Sequence, residues 1–257
     1  MLDVQGKVAV ITGASAGFGC RLAQRLHAKG AQVVLGDIDV SEGQALADQL
    51  NRARPDSAVF QKCDVSQIAD NQGLFDLAVR QFGTADIMIN NAGVAESHPV
   101  FAEDSTTQAW EKLLAINLQA VIAGTQYAVN YWLRHRKSGV VVSASSASAF
   151  SFLPISPVYA ATKAAVLHFT SNCATLKKQG IRVNAIAPFF SNTNLVKQGR
   201  QDNKHFDRLV SGAKMVDPEM VVDAYMRCIE DESLAGETLS ILPKSGIQIF
   251  HPYYPKL

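Results

Sequence analysis

The chain alternates between short runs of β-branched residues and longer stretches in which apolar residues recur at helical spacing. The short runs have no polar face, which is typical of parallel strands that helices cover on both sides. They lie at residues 7–11, 32–37, 59–63, 86–89, 140–144 and 182–187, with a further strand at 237–242 after a helix at 218–230. This order predicts an α/β fold: a single-domain, doubly wound parallel sheet with helices on both faces, spanning residues 1–257.

Composition narrows the class of protein. A chain of 257 residues that is 47% hydrophobic can bury a full core as one domain. The net charge of +1 and the lack of a basic stripe argue against a nucleic-acid partner. There is no apolar run of about 18 residues and no signal peptide, so no membrane association is expected. Four widely spaced cysteines and scattered histidines predict reduced thiols, a cytoplasmic location and no metal site.

A glycine-rich turn follows the first strand and precedes a helix that runs to about Lys29. Glycines permit a tight turn and let the backbone approach a pyrophosphate, whose charge is held at the helix N-terminus. The spacing is G-x-x-x-G-x-G. The turn predicts a dinucleotide site at Gly13, Ser15, Gly17, Phe18 and Gly19.

Asp37 ends the second strand, 18 residues after Gly19. A carboxylate at this place can accept hydrogen bonds from both adenosine ribose hydroxyls of NAD, and it would repel the 2′-phosphate of NADP. Asp37 therefore predicts NAD as the cofactor. The alternative is a solvated loop acid, a role that suits nearby Asp39 better.

Tyr159 and Lys163 are four residues apart on a predicted helix, so they share one face. Ser156 suits the N-cap of this helix and Pro157 its first position. A free tyrosine has a pKa of about 10. A nearby lysine cation and the first turn of a helix would lower that pKa, which would let Tyr159 act as general acid or base on an alcohol or carbonyl. The alternative is a tyrosine packed on the core.

The strand at 140–144 ends in Ser145-Ser146, at the edge where open α/β sheets bind ligands. Ser146 lies thirteen residues before Tyr159, and Asn90-Asn91-Ala92-Gly93 follows the fourth strand. With the glycine turn, these motifs resemble the short-chain dehydrogenase/reductase family over essentially the whole chain. The family spacing selects Ser146 rather than Ser145. The alternative for both serines is a strand end that caps the next loop.

The resemblance implies a Rossmann-type fold and an NAD-dependent alcohol dehydrogenase or ketone reductase. Its catalytic residues would be Ser146, Tyr159, Lys163 and Asn117, with Asn117 holding a water that is linked to the lysine. Asn117 lies inside the apolar run 113–118. It could instead be a core asparagine whose amide is satisfied by backbone groups.

The resemblance also implies further cofactor contacts. The adenine end of the cofactor would contact Ile38, Asp64 and Val65. Ile38 and Ala16 stand where NADP-dependent members of the family tend to carry a positive charge, which both residues lack. Asn91 would border the cofactor, while Tyr159 and Lys163 would contact its nicotinamide end, as would Pro188 and Thr193. Phe189 replaces the family's usual glycine. We therefore expect an altered backbone or a narrower pocket there.

The substrate is expected to contact residues 94–101, 147–156 and 189–216, the last serving as a lid. These segments contain Phe101, Phe150, Phe152, Leu153, Phe189 and Phe190. They predict a secondary alcohol or ketone with an apolar body. Residues 194–216, which look polar and irregular, carry five cations against two acids, namely Lys197, Arg200, Lys204, Arg208 and Lys214 against Asp202 and Asp207. Either these form a solvated surface, or one cation meets a substrate carboxylate.

Other functions remain open at this point. The runner-up activity is a short-chain alcohol or polyol dehydrogenase. A non-catalytic NAD-binding regulator on the same fold is a further alternative, since a fold does not determine a function. The resemblance implies that subunits pair through the helices of Asn117 and Tyr159. The apolar residues of these helices, such as Val121, Ile122, Leu167 and Phe169, exceed what one side of a sheet requires, so we predict a homodimer or homotetramer.

Overall fold

The β-branched runs form the strands of one sheet. The computed structural model describes residues 1–96, 100, 101, 103, 106–202 and 204–251. Within these residues eight strands pair in the order β3-β2-β1-β4-β5-β6-β7-β8. The strands are β1 (Val8–Thr12), β2 (Gln32–Asp37), β3 (Ala58–Lys62), β4 (Ile87–Asn90), β5 (Gly139–Ala144), β6 (Ile181–Pro188), β7 (Thr238–Leu242) and β8 (Gly246–Phe250).

Helices connect and cover these strands. They are α1 (Gly17–Ala28), α2 (Val40–Ala53), α3 (Ile68–Phe82), α4 (Thr107–Leu114), α5 (Ala120–His135), α6 (Pro157–Asn172), α7 (Asn194–Asp202), α8 (Lys204–Ser211) and α9 (Pro218–Glu230). None of the helices in the described residues is long and apolar enough to cross a membrane. The predicted α/β sheet with flanking helices is confirmed.

The two faces of the sheet have separate cores because successive side chains of a strand point to opposite sides. In β1, Ala9 and Ile11 pack in the layer that contains α1, α2 and α9. Val8 and Val10 pack in the layer that contains α3 and α5. Burial on both faces explains why the parallel strands lack a polar alternation in the sequence.

The strand order brings the predicted motifs to one edge. The chain winds outward from β1 in both directions, so β1 and β4 are neighbours and a crevice forms at their carboxyl ends. The glycine turn follows β1, and Asp37 ends β2. The asparagine motif begins at the end of β4, and Ser146 follows β5.

Three elements differ from the sequence predictions. The long helix expected at 106–135 is α4 and α5 joined by a π-helical turn, Ala115–Gln119. Residues 194–216, expected to be irregular, contain α7 and α8, whose Val196, Phe206 and Val210 form a small core of their own. Strand β8 was not predicted and pairs antiparallel with β7. The short length of these elements weakened their periodic signal.

Candidate active site

Tyr159 and Lys163 lie on α6, one turn apart, as their spacing predicted. The Lys163 ammonium lies 5.7 Å from the centre of the Tyr159 ring. It donates a hydrogen bond of 2.9 Å to the main-chain oxygen of Ala144, at the end of β5. Only 3% of Lys163 is exposed. The lysine stem is thus held between the sheet edge and the tyrosine.

The two adjacent serines have different partners. The buried Ser145 hydroxyl donates a 2.7 Å hydrogen bond to the main-chain oxygen of Lys163, which ties α6 to the strand end. The Ser146 oxygen accepts a 3.2 Å bond from the amide of Ser148 and also hydrogen bonds to the Tyr159 side chain. Ser146 is therefore the serine that the structure brings to the tyrosine, and it also caps the next turn, as the alternative interpretation predicted. Ser145 instead ties α6 to the sheet.

Burial dominates the electrostatics of the pair. Burial raises the pKa of Tyr159, and the hydrogen bond with Ser146 opposes that rise. The predicted lowering of the tyrosine pKa by the lysine is wrong for this structure, because desolvation of the phenolate is the larger effect. Burial also lowers the pKa of Lys163 to about 8.

A residue that the sequence pattern did not predict caps α6. The Tyr159 main-chain amide donates a 2.9 Å hydrogen bond to the Glu96 carboxylate. Ser156 occupies the N-cap position, but its side chain makes no capping bond. Burial raises the pKa of Glu96 by more than the hydrogen bond from the Tyr159 amide lowers it, so the net shift is upward. Glu96 lies 63 residues before Tyr159 in sequence, so no local signal could have identified it.

Asn117 lies in the π-helical turn and is fully buried. Its side-chain oxygen accepts a 2.9 Å bond from the Val94 amide, and its side-chain nitrogen donates a 2.9 Å bond to the Val94 carbonyl. A Cβ on Gly93 would come within 3.3 Å of the Asn117 amide oxygen and 3.4 Å of the Lys163 nitrogen. Gly93 thus permits the close approach of Asn117 and Lys163, while the asparagine amide itself is satisfied by backbone groups.

The glycine turn is joined to the end of β2. The Ser15 amide donates a 2.9 Å hydrogen bond to one oxygen of Asp37, and the Asp39 amide donates a 3.1 Å bond to the other. A Cβ on Gly17 would lie 3.9 Å from the Thr193 methyl group. The fold therefore brings three sequence-predicted regions, residues 13–19, Asp37 and Thr193, to one place. Phe18, between the glycines, packs partly buried against the core beside α1.

Asn91 connects this turn to the end of β4. Its side-chain nitrogen donates hydrogen bonds to the main-chain oxygens of Thr12, at 3.0 Å, and Gly13, at 2.9 Å. The Thr12 hydroxyl oxygen accepts bonds from the amides of Asn91 and Ala92. Asn91 is therefore part of the framework of the predicted dinucleotide site.

The remaining predicted cofactor neighbours differ in their surroundings. Ile38 is 66% exposed beside Asp37, whereas Val65 is buried. The Asp64 carboxylate accepts bonds from the amide and the hydroxyl of Ser66, so it organises its own turn. Pro188 ends β6. Adenine contact by Ile38, Asp64 and Val65, and nicotinamide contact by Pro188, remain predictions.

The Phe189 substitution does not strain the backbone. Among the described residues the only non-glycine positions with positive φ are Asp56 and Arg136, so Phe189 has negative φ. Its ring packs at 4.8 Å from Phe190, which meets Phe206 of α8 edge to face at 5.5 Å. The change therefore adds a ring to an aromatic cluster that packs against α8.

The other aromatic residues of the predicted substrate region divide into two groups. Phe150 stacks on Phe250 of β8, with ring centres 4.3 Å apart, and so it belongs to the framework. Phe101 and Phe152 are each 91% exposed. Residues 97–99 of the predicted segment 94–101 lie outside the described residues, as do positions 102, 104 and 105. In the described part of the chain, no group of three His, Cys, Asp or Glu side chains could hold a metal ion.

Known proteins share the fold of this chain. Solved structures resemble the fold over most of the chain: a short-chain type dehydrogenase/reductase from Mycobacterium marinum has a TM-score of 0.84 at 25% identity, covering 93% of this chain and 95% of that one. A short chain dehydrogenase/reductase from Burkholderia phymatum, solved in complex with NAD, has a TM-score of 0.81 at 25% identity, covering 91% of this chain and 89% of that one.

Sequence comparison agrees with the structures. The 15-hydroxyprostaglandin dehydrogenase [NAD(+)] of Homo sapiens is 31% identical over 261 residues, which covers 96% of this chain and 94% of the relative. The family model for short chain dehydrogenase matches residues 7–204, which contain the glycine turn, Asn91, Ser146, Tyr159 and Lys163. A match of that extent shows that the chain belongs to the short chain dehydrogenase family.

Proposed function

We propose that the protein transfers a hydride between NAD and a secondary alcohol or ketone that has an apolar body. One observation carries the proposal: Ser146 and Lys163 meet Tyr159 at the carboxyl edge of the sheet, the edge at which the glycine turn and Asp37 also meet. A short-chain alcohol or polyol dehydrogenase would need a more polar pocket than these aromatic segments suggest.

The chain has the features that a dinucleotide requires. The N-cap residue of α1, Ala16, makes no side-chain cap, and the first turn of α1 contains no acidic residue. The amides at this helix end are therefore suited to a pyrophosphate. The Asp37 carboxylate would accept hydrogen bonds from the adenosine ribose, and Thr193 would meet the nicotinamide carboxamide. NAD, when bound, accepts the hydride from the substrate carbon and brings a positive charge to the site.

The side chains supply the proton chemistry. In oxidation Tyr159, as phenolate, takes the proton of the substrate hydroxyl, and Ser146 donates a hydrogen bond that orients the same oxygen. Lys163, with a pKa of about 8, is mostly cationic at neutral pH. Its ammonium, 5.7 Å from the centre of the Tyr159 ring, would bond the nicotinamide ribose. Because its side chain is paired with Val94, Asn117 would hold a relay water through its main-chain carbonyl.

The exposed aromatic residues suggest the substrate body. Phe101 and Phe152 are exposed, and Phe190 lies over the core of α7 and α8. We assign residues 189–216 as a lid over an apolar substrate. One lid cation, Arg200, pairs with Asp207 at 2.6 Å and donates a bond to Ser211, which favours the solvated-surface interpretation for that residue.

The second interpretation of the lid is that one of its other cations binds a substrate carboxylate. Lys197, Lys204, Arg208 and Lys214 are exposed, and a relative is named for a prostaglandin. If a lid cation binds a carboxylate, a hydroxy fatty acid should have a higher kcat/KM than its methyl ester, and added salt should reduce the difference. Equal values for acid and ester would exclude the anionic interaction.

The proposed activity is tested with a panel of alcohols and ketones and both cofactors. NAD should support faster turnover than NADP at equal low concentration. Tyr159→Phe should lower kcat by about 10² or more, with NAD affinity little changed, because only the proton-transfer group is lost. NADH binding without turnover of any alcohol would favour the non-catalytic regulator instead.

We also propose that the protein is a cytoplasmic homodimer or homotetramer. The four cysteines are free thiols, as suits a reducing compartment. Of the apolar residues predicted for the interface, Val121 and Leu167 are buried within the protomer itself, whereas Ile122 is 40% exposed and Phe169 is half-buried. The apolar surface for pairing is thus smaller than the sequence suggested. Light scattering at micromolar concentration tests the assembly, and a single 27.7 kDa species would contradict it.

A further inference from the structure

The side-chain amide of Asn91 has two ends with opposite roles. Its nitrogen donates to the carbonyls of Thr12, the last residue of β1, and Gly13, the first residue of the glycine turn. Its oxygen must therefore point away from the turn, where it needs a donor because the region is largely buried. The donor comes from a distant part of the chain.

Tyr225 of α9 supplies that donor. Its hydroxyl donates a 3.2 Å hydrogen bond to the Asn91 side-chain oxygen, across 134 residues of sequence. Tyr225 is fully buried within the core beside α1 and α2. Burial holds the pKa of this hydroxyl far above the usual value of a tyrosine, so the group stays protonated and remains a donor.

The contact fixes which way the amide faces. The two ends of an asparagine amide have nearly the same shape, and their orientation is decided by hydrogen bonds. A flipped amide would place its oxygen against two carbonyl oxygens. The turn leaves no room to adjust: a Cβ on Gly19 would lie 2.6 Å from the Asn91 nitrogen. A reorientation of the Asn91 side-chain amide would therefore shift the backbone of the glycine turn.

We propose that Tyr225 is a positioning residue for the dinucleotide, which acts by holding Asn91 in the orientation that shapes the glycine turn. The residue touches neither cofactor nor substrate in this scheme. Its effect should be on cofactor affinity, because the turn contacts the pyrophosphate, and not on the proton transfer at Tyr159. The inference rests on NAD being the cofactor.

The experiment compares Tyr225→Phe with Tyr131→Phe in the full-length protein. Phenylalanine keeps the buried ring and removes only the hydroxyl. Tyr131 is a matched control on α5, whose hydroxyl accepts a 3.5 Å bond from Lys137, on the opposite face of the sheet from Tyr225. NADH affinity is measured directly by fluorescence titration, which needs no turnover, and steady-state kinetics follow with the best alcohol of the panel.

Tyr225→Phe should weaken NADH binding by about 5- to 30-fold, equivalent to about 1–2 kcal/mol. The KM for NAD should rise in parallel, while kcat at saturating NAD and the KM for the alcohol stay within about twofold. Tyr131→Phe should change none of these values. An NADH affinity within twofold of the wild type would overturn the proposal, as would a fall in kcat with unchanged affinity. Failure of the wild type to bind NADH would refute the cofactor assignment separately.

Thermal unfolding and circular dichroism establish whether Tyr225→Phe folds. If the variant does not fold, the same contact is tested in the wild-type protein by NMR with tyrosine-selective labelling. The Tyr225 hydroxyl proton should exchange slowly with solvent and show a cross-peak to the Asn91 amide, and its exchange should slow further with NADH. A rapidly exchanging hydroxyl, or one whose exchange NADH leaves unchanged, would also overturn the proposal.

Discussion

Alanine substitutions at Ser145 and Ser146 separate catalysis from structure with two chemically identical changes. Ser146 hydrogen bonds to Tyr159, and in the proposed mechanism it also orients the substrate oxygen. Removing one donor at a reacting oxygen typically lowers kcat by about 10²–10³. The kcat of Ser146→Ala should be reduced by a factor in this range. The substitution also loses the bond from the Ser148 amide, which should cost about 1 kcal/mol of stability.

Ser145→Ala should show the reverse pattern. It removes the 2.7 Å bond from the buried hydroxyl to the Lys163 carbonyl, which ties α6 to the strand end. The expected cost is about 1.5 kcal/mol, the upper end of the range for one hydrogen bond, because both groups are buried. For a domain of this size each kcal/mol lowers Tm by about 2–4 °C. The residual kcat should stay within about tenfold of the wild type, because the hydroxyl does not face Tyr159.

The pH profile gives a sharper test of Ser146. Oxidation requires the Tyr159 phenolate, so kcat/KM rises with pH through the pKa of Tyr159 in the absence of substrate. The hydrogen bond with Ser146 lowers that pKa. Ser146→Ala should therefore move the rise to higher pH, whereas Ser145→Ala should leave it in place. The assay is NADH production from pH 6 up to the highest pH at which Tm, measured on the same samples, shows a folded protein, because burial raises the pKa of Tyr159 above its usual value of about 10.

Two results would refute this reasoning. If Ser145→Ala lost as much kcat as Ser146→Ala without a larger fall in Tm, the assignment of the catalytic serine would be wrong. If Ser146→Ala moved the profile to lower pH, the hydrogen bond would not favour the phenolate.

Three further predictions concern the surroundings of the site. Asp37→Asn keeps an oxygen for the Ser15 amide but removes the charge, so the kcat/KM preference for NAD over NADP should fall by about tenfold or more; an unchanged ratio contradicts the role of the carboxylate. Glu96→Gln keeps the acceptor for the Tyr159 amide and should retain kcat within about threefold. Glu96→Ala removes the acceptor, so it should lower Tm by the equivalent of about 0.5–2 kcal/mol and reduce kcat. Equal losses of kcat and Tm in both variants would assign the effect to the charge of Glu96. Burial lowers the pKa of Lys163 from 10.5 to about 8, so between these pH values the unfolded chain binds more protons than the folded chain and the stability of the wild type rises with pH. Lys163→Met should flatten this rise between pH 8 and 10. Parallel curves of Tm against pH for the wild type and Lys163→Met would exclude that linkage.

The local patterns of the sequence determined the strands, the principal helices and the motifs at their ends. Buried parallel strands require continuous β-branched runs, and a glycine turn requires glycine, so both are visible without a structure. The helical spacing of Tyr159 and Lys163 likewise needs only the 3.6-residue period. The short helices α7 and α8 and the strand β8 were missed because a few residues carry little periodicity.

Only the tertiary structure decided which polar groups meet. The cap of α6 by Glu96 and the bond of Tyr225 to Asn91 join residues that are 63 and 134 positions apart, and neither leaves a local pattern. The structure also distinguished Ser145 from Ser146 by their partners, and it showed that burial, rather than the neighbouring lysine, controls the pKa of Tyr159. Hydrogen bonds and desolvation depend on what surrounds a group in three dimensions, so the sequence could place these side chains at the sheet edge but could not set their chemistry.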